Sequence, residues 1–529
     1  MWYGDWGARG AQYWPKDTAI VEVVPGATAG TCARVRRFTY AELDVRANKA
    51  AAWLRDRAGV KAGDKVGMIA LNGVEVLDVL FACGKLGAVL VPYNWRLHAN
   101  ELGELVRRTA PKVLFFSDEL GKLTGEALGA WGGSARTLPA LVHLDGGGIP
   151  GSSAYDDALA ASPADPVSNP RFKETDVACL LFTGGTTGLP KAARITYRQI
   201  AWNTFTTMVH EIRPGDVTIT HTPMFHTGGL FVYTVPFLTI GGRVVLMRRW
   251  DAALALKLLV EEQVTAFFAV PTQYQQLFEA PGFAEADLSR IRYLTSGGAA
   301  MPGPLRAAWA KAHPIPFKQG FGMTEFGPGV FSFPASEADR KAGSIGLVNQ
   351  FIEARLVDED GRDVKRGEVG ELLLRGPACC DGYEAPEGVS REGIDAHGWL
   401  HSGDLMRQDE DGYFWVAGRR KDMFISGGEN VYPLEIENAL LTHPAVAMAS
   451  VVGVPDAKWG EVGLAYYTLK PGAAVEPEAL LEHLRARLAR YKVPKQVTRV
   501  DAMPLSAAGK ILKTELRKLA LADDAGGSR

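Results

Sequence analysis

Leu181-Phe182-Thr183-Gly184-Gly185-Thr186-Thr187-Gly188-Leu189-Pro190-Lys191-Ala192-Ala193 is the stretch whose reading decides the fold. Ala178 to Phe182 is a short apolar run suited to a buried strand, and it stops at Gly184, Gly185 and Gly188, which permit turns that a Cβ forbids. Thr183, Thr186 and Thr187 add hydroxyl donors to the freed backbone N–H groups, and Lys191 adds an ammonium. Such a set forms an anion cradle. It is not a Walker loop, since Leu-Pro separates the last glycine from the lysine and no Ser or Thr follows, and it lacks the spacing G-x-G-x-x-G. On this stretch alone, a Gly/Thr turn between two strands is the competing reading.

Helices and short Val/Leu-rich strands alternate on both sides of this loop. Thr39 stands three residues before Glu42 in a capping-box pattern that opens a helix over Phe38 to Arg57. Strand Lys65 to Leu71, helix Val74 to Leu86, strand Ala88 to Pro92, a helix from Glu101 to Thr109 and strand Lys112 to Ser117 follow. Beyond the loop come helix Tyr197 to His210, strand Val217 to His221, helix Ala252 to Glu262 and strand Ala266 to Val270. This alternation predicts parallel α/β layers. From Ile345 short strands and turns predict an all-β, barrel-like part, and beyond Arg419 a small α+β unit begins, with helices at Pro433 to Leu441 and Pro477 to Tyr491.

In open α/β sheets ligands gather at the carboxyl ends of strands. Several such ends here carry Gly, Thr or a lone charged group: Met224-Phe225-His226-Thr227-Gly228-Gly229, Ser296-Gly297-Gly298-Ala299, and Gln319-Gly320-Phe321-Gly322-Met323-Thr324-Glu325. Each has a bland counterpart, such as a satisfied turn histidine for His226 or a solvated loop carboxylate for Glu325; the co-occurrence carries the signal. Glu325 suits a Mg²⁺ bridging phosphates. Asp404, expected at a turn, can accept two ribose hydroxyls, and Arg419 can donate to the same sugar or a phosphate. Lys510 follows a glycine turn near the end of the chain, where a surface lysine is the plain alternative.

At 529 residues the chain exceeds one domain-sized unit several times over, and 47% hydrophobic with 22% charged residues is ordinary globular composition. A net charge of −2 without polybasic blocks gives no reason to expect nucleic acid or an anionic membrane as partner. Five cysteines without paired C-x-x-C spacing read as reduced thiols of a cytoplasmic protein. The N-terminus carries no signal-peptide pattern, and the most apolar segment, Gly228 to Gly242, is shorter than the roughly 20 residues of a membrane span.

Taken in order, from Gly87-Ala88-Val89 and Asn94-Trp95-Arg96-Leu97 to Lys510, these motifs resemble the acyl-adenylate-forming superfamily of acyl-CoA synthetases, luciferases and peptide-synthetase adenylation domains. The resemblance implies an ATP-dependent carboxylate–CoA ligase in which the acid attacks the ATP α-phosphate, pyrophosphate leaves, and a thiol then displaces AMP. It implies an N-terminal ATP- and acyl-binding domain over 1–418 and a mobile C-terminal domain over 419–529, with ATP, Mg²⁺ and CoA as cofactors. Within that pattern Thr183, Gly184, Gly185, Thr186, Thr187, Gly188 and Lys191 form the phosphate loop. Gly298, Ala299, Phe321 and Gly322 line the adenine site, with Phe321 where a tyrosine is usual. Thr324 contacts the α-phosphate, Glu325 holds the Mg²⁺, and Asp404 with Arg419 holds the ribose. Lys510 binds the reacting carboxylate and α-phosphate.

The resemblance also implies that His226 gates an acyl pocket, whose candidate residues include Gly229, Leu230, Gly298, Phe321 and Met323. Lys421 is the implied hinge, and Gly427, Gly428 and Glu429 the implied lining of a CoA tunnel. Gly184, Ala192 and Tyr197 depart from a common serine, glycine and histidine. The absence of an aspartate in Met224 to Thr227 argues against amino acids, and the neutral pocket points to a medium or longer aliphatic acid, with an aryl acid or a carrier-protein acceptor as alternatives. Homodimers are common in that superfamily, while the residues themselves do not fix an oligomeric state.

Overall fold

The computed structural model describes residues 4–131, 138–169, 172–183, 190–209, 211–505 and 511–526. Its largest sheet has nine strands and is built around Val177–Thr183, the strand that enters the phosphate loop. On one side of it lie Val89–Pro92, Lys65–Ile69, Val113–Phe116, Ala140–His143 and Ser152–Ala154, all parallel. The side chains of Val89–Pro92, Lys65–Ile69 and Val113–Phe116 are buried almost throughout, as befits strands covered on both faces. On the other side Lys191–Thr196 returns antiparallel, followed by Tyr383–Ala385 and Gly388–Ser390. The phosphate loop therefore joins the two strands of a hairpin, with Thr183 opposite Lys191.

A second sheet runs Val217–Thr220, Arg243–Met247, Thr18–Pro25, Cys32–Thr39, and a three-stranded parallel sheet runs Ala266–Ala269, Tyr293–Ser296, Phe317–Gln319. The Thr265 N–H donates to the Val217 carbonyl where the two meet. The α/β expectation holds, with several elements found where periodicity and capping put them. Helix Tyr40–Asp56 starts at the Thr39/Glu42 capping box, and helix Val74–Leu86 ends at Gly87, whose φ of 72° is the left-handed conformation that glycine favours at a helix end.

The all-β part is an open antiparallel sheet of four strands, Glu353–Val357, Val369–Arg375, Leu400–Gln408 and Phe414–Arg419, rather than a barrel. Asp404 stands inside the third of these strands and not at a turn. The C-terminal unit packs helices Pro433–Leu441 and Pro477–Arg485 on a five-stranded sheet around Phe424, Ile436, Leu440, Val451 and Leu484. The second helix stops six residues short of Tyr491, and a 3₁₀ turn over Arg490–Lys492 follows. No helix among the described residues is long and apolar enough to cross a membrane.

Candidate active site

Thr183 and Lys191 face each other at the mouth of the phosphate-loop hairpin; the Thr183 hydroxyl donates weakly to the Lys191 carbonyl at 3.5 Å. Gly184, Gly185, Thr186, Thr187 and Gly188 lie outside the described residues, as does Lys510, whose flanking residues Leu505 and Ile511 are antiparallel bridge partners. The Lys191 ammonium pairs with Glu392 at 2.6 Å and sits 5.6 Å from the centroid of the Tyr383 ring. The Tyr383 hydroxyl donates to Glu325 Oε1 at 2.8 Å. Lys191 and Glu325, far apart in the chain, thus converge on one tyrosine that the sequence reading did not single out.

Thr324 and Glu325 are also held through their backbone. Buried Gln199, on the helix that follows the hairpin, donates from Nε2 to the Thr324 carbonyl at 3.0 Å. The Cys380 N–H donates to the Glu325 carbonyl at 2.7 Å. Gly322 lets the segment pass close to Pro328, whose Cα would lie 2.3 Å from an added Cβ. A small cavity joins Thr324 and Gly327 to Gln199 and Thr227. The donor set fits Mg²⁺: that cation takes one or two carboxylates together with phosphate and water oxygens rather than a protein cage. Glu325 supplies such a carboxylate, and no cluster of three or more His, Cys, Asp or Glu suited to a metal occurs among the described residues.

Gln319 binds together the two glycine-rich strand ends assigned to adenine. Its Nε2 donates to the carbonyls of Ser296 and Ala299 at 3.2 and 3.1 Å, while its Oε1 accepts from the Met301 N–H at 3.0 Å. Gly298 takes a φ of 79°, and it and Ala299 are exposed. Phe321 is half-buried and stands edge-on to Phe331 at 5.7 Å; Met323 packs on the same apolar cluster.

His226 caps the short helix Thr227–Leu230 and packs on Phe225 at 4.5 Å, which in turn meets Trp95 edge-on. Gly229 passes so close to Pro223 that an added Cβ would lie 2.3 Å from its carbonyl oxygen, and Leu230 is fully enclosed in the core. Nearby His221 is buried; its Nε2 lies 2.9 Å from the Phe268 carbonyl and its Nδ1 3.0 Å from Gln273 Nε2. Burial pushes its pKa down to about 4.

Asp404 and Arg419 are register partners on neighbouring strands, joined by an ion pair of 2.8 Å from Arg419 Nε to Asp404 Oδ1. Asp404 is buried and Arg419 half-exposed, beside an open cleft of about 450 Å³ lined by Ser402, Gly403, Arg419, Arg420 and Lys421. Gly427 and Gly428, with φ of 61° and 88°, form the two-residue turn between Phe424–Ser426 and Glu429–Val431, the chemistry of a type I′ hairpin. Among the described residues no hydrogen bond or ion pair links Gly427, Gly428 or Glu429 to Thr183, Lys191, Thr324 or Glu325.

Of the departures from the common motif, Ala192 is buried opposite Phe182, and Tyr197 is a core residue packed on Phe172 at 4.5 Å and Trp6 at 5.9 Å. Tyr197 has taken up a packing role.

Gln319 thus joins two of the glycine-rich strand ends, and Tyr383 joins Lys191 of the hairpin to the Glu325 carboxylate. The AMP-binding enzyme profile matches residues 8–384, and that of the AMP-binding enzyme C-terminal domain matches 435–510. Feruloyl-CoA synthase of Amycolatopsis sp is 38% identical over 97% of this chain and 98% of its own length. Indoleacetate–CoA ligase of Aromatoleum aromaticum is 36% identical over 92% and 93%. The crystal structure of the anthranilate CoA ligase AuaEII with anthranoyl-AMP superposes with a TM-score of 0.87 at 27% identity, covering 99% of this chain and 98% of that one. The chain belongs to the AMP-binding enzyme family, as an acyl-CoA synthetase of the adenylate-forming superfamily. Its chemistry draws on ATP, Mg²⁺ and CoA.

Proposed function

We propose that the enzyme is a CoA ligase for aryl-bearing carboxylic acids, working through an acyl-adenylate. The observation that carries this is the junction of Lys191, Tyr383, Glu325 and Thr324 at the phosphate-loop mouth, and the ring-bearing acids named for its relatives support the choice of acid over the aliphatic chain expected from the neutral pocket. Thr183 and Lys191, with Gly184, Gly185, Thr186, Thr187 and Gly188, hold the β- and γ-phosphates; Thr324 donates to the α-phosphate. Glu325 would hold Mg²⁺, which would supply positive charge beside the phosphates. Gly298, Ala299, Phe321 and Gly322 take the adenine, and Phe321 stacks without needing the usual hydroxyl. Asp404 and Arg419 hold the ribose. Lys510 stabilises the charge that develops between carboxylate and α-phosphate. His226, Gly229, Leu230 and Met323 shape the acyl side.

In this reading the chain divides into 1–418 and 419–529, turning about Lys421 so that Lys510 leaves and Gly427, Gly428 and Glu429 line the thiol's approach. The enzyme is cytoplasmic, which its five free cysteines support, and a homodimer. Thioester formation with a panel of cinnamic-type, arylacetic and fatty acids tests the substrate: the expected result is kcat/KM at least about tenfold higher for aryl acids than for octanoate, within reach of a few apolar contacts. The reverse order sinks the aryl reading, and AMP release only with a carrier protein sinks the CoA acceptor.

A further inference from the structure

Tyr383 lies on the strand Tyr383–Ala385, which pairs with the return strand of the phosphate-loop hairpin through Tyr383 opposite Ala193 and Glu384 opposite Ala192. The Arg194 N–H donates to the Gly382 carbonyl at 2.9 Å, and Glu384 makes ion pairs with both Arg194 and, further into the sheet, Lys65, so this strand is anchored to the hairpin side of the sheet. From that fixed base the phenol reaches Glu325 Oε1 at 2.8 Å while the ring face lies beneath Lys191.

A carboxylate that ligates a cation must present one oxygen in a fixed direction, and a hydrogen bond on the other oxygen does this. We infer that Tyr383 is a positioning residue of the nucleotide–metal site: its hydroxyl aims the free oxygen of Glu325 at the cation, and its ring holds the Lys191 ammonium over the phosphates. This rests on the assignment of Glu325 to the metal.

The test is metal affinity in folded protein without turnover: Mn²⁺ binding by electron paramagnetic resonance with ATP present and neither acid nor CoA, beside ATP binding in a chelator. Tyr383→Phe keeps the ring and the shape. It should weaken Mn²⁺ binding about tenfold, the usual size for an outer-shell partner, with chelated ATP affinity and melting temperature unchanged; a purely structural tyrosine would do the opposite. Tyr383→Leu should weaken chelated ATP binding as well. Glu325→Gln should weaken Mn²⁺ binding at least as much as Tyr383→Phe. Unchanged Mn²⁺ binding in Tyr383→Phe alongside a loss in Glu325→Gln overturns the role of the hydroxyl alone. Unchanged binding in Glu325→Gln overturns the metal assignment and this inference with it. Unchanged ATP binding in Tyr383→Leu overturns the link to Lys191.

Discussion

Buried His221 makes the enzyme's stability depend on pH in a way that can be worked out from its surroundings. The ring lies between the Phe268 carbonyl and the Gln273 amide, packed on Trp250 at 4.5 Å and Phe267 at 5.4 Å. With the Gln273 amide donating to Nδ1, the Nε2–H donates to the carbonyl and the ring is neutral. Its pKa falls from 6.5 to about 4 on folding because burial penalises the cation. Above about pH 6.5 neither state binds the proton and His221 adds no slope; between 6.5 and 4 the unfolded chain takes it up and the folded one does not; below 4 both are protonated. Stability is thus lost as pH falls through this window, by about 2 kcal/mol at pH 5 and about 3.4 kcal/mol in full, at about 1.4 kcal/mol per pKa unit.

Other groups titrate in the same range, so the difference against His221→Gln isolates the effect. Urea midpoints at about pH 7.5, 6 and 5 should show wild type losing about 2 kcal/mol more than the variant by pH 5. Parallel loss in the two proteins, or a His221 resonance titrating near 6.5, would refute the reasoning.

Three further outcomes follow from the site. Lys191→Ala removes a cation that pairs with the solvent-exposed Glu392, so the melting temperature should barely move while KM for ATP rises about tenfold or more; a normal KM in pyrophosphate-release assays would remove Lys191 from the phosphate site. Lys510→Ala should abolish adenylate formation yet leave thioester formation from preformed acyl-adenylate, and retained adenylation would mean another lysine does this work. Lys421→Pro fixes φ at the proposed hinge, so single-turnover pyrophosphate release should persist while thioester formation falls; equal loss of both steps counts against a rotating C-terminal domain.

Much of the architecture was legible because local chemistry and tertiary packing agree. Helix Pro433–Leu441 starts with proline at a position where its missing N–H costs nothing, and the Thr39/Glu42 box sets the start of Tyr40–Asp56. Strands Thr18–Pro25 and Cys32–Thr39 are hard to read because Glu22 and a run of arginines break the apolar pattern; in the fold Arg36 bridges Glu22 and Glu75 by ion pairs of 2.6 and 2.7 Å. Asp404 reads as a turn residue because Gly403 precedes it, yet Gly403 adopts its φ of 69° within a strand whose register shifts nearby. Pro477–Arg485 ends early although Leu488 continues the apolar stripe, because the chain turns at Arg490–Lys492. The site residues were recognisable one motif at a time. What joins them was not: Tyr383 is 58 residues from Glu325, and only strand pairing brings it there. Gln199 acts through the Thr324 carbonyl 125 residues away, a backbone contact that no side-chain motif announces.

The central claim is that the acid is activated by attack on the α-phosphate. The most direct measurement is mass spectrometry of the products after one turnover with an aryl acid labelled with ¹⁸O in its carboxylate. One labelled oxygen carried into AMP, with unlabelled pyrophosphate, is the predicted result. Label in inorganic phosphate, with ADP as the nucleotide product, would contradict the account.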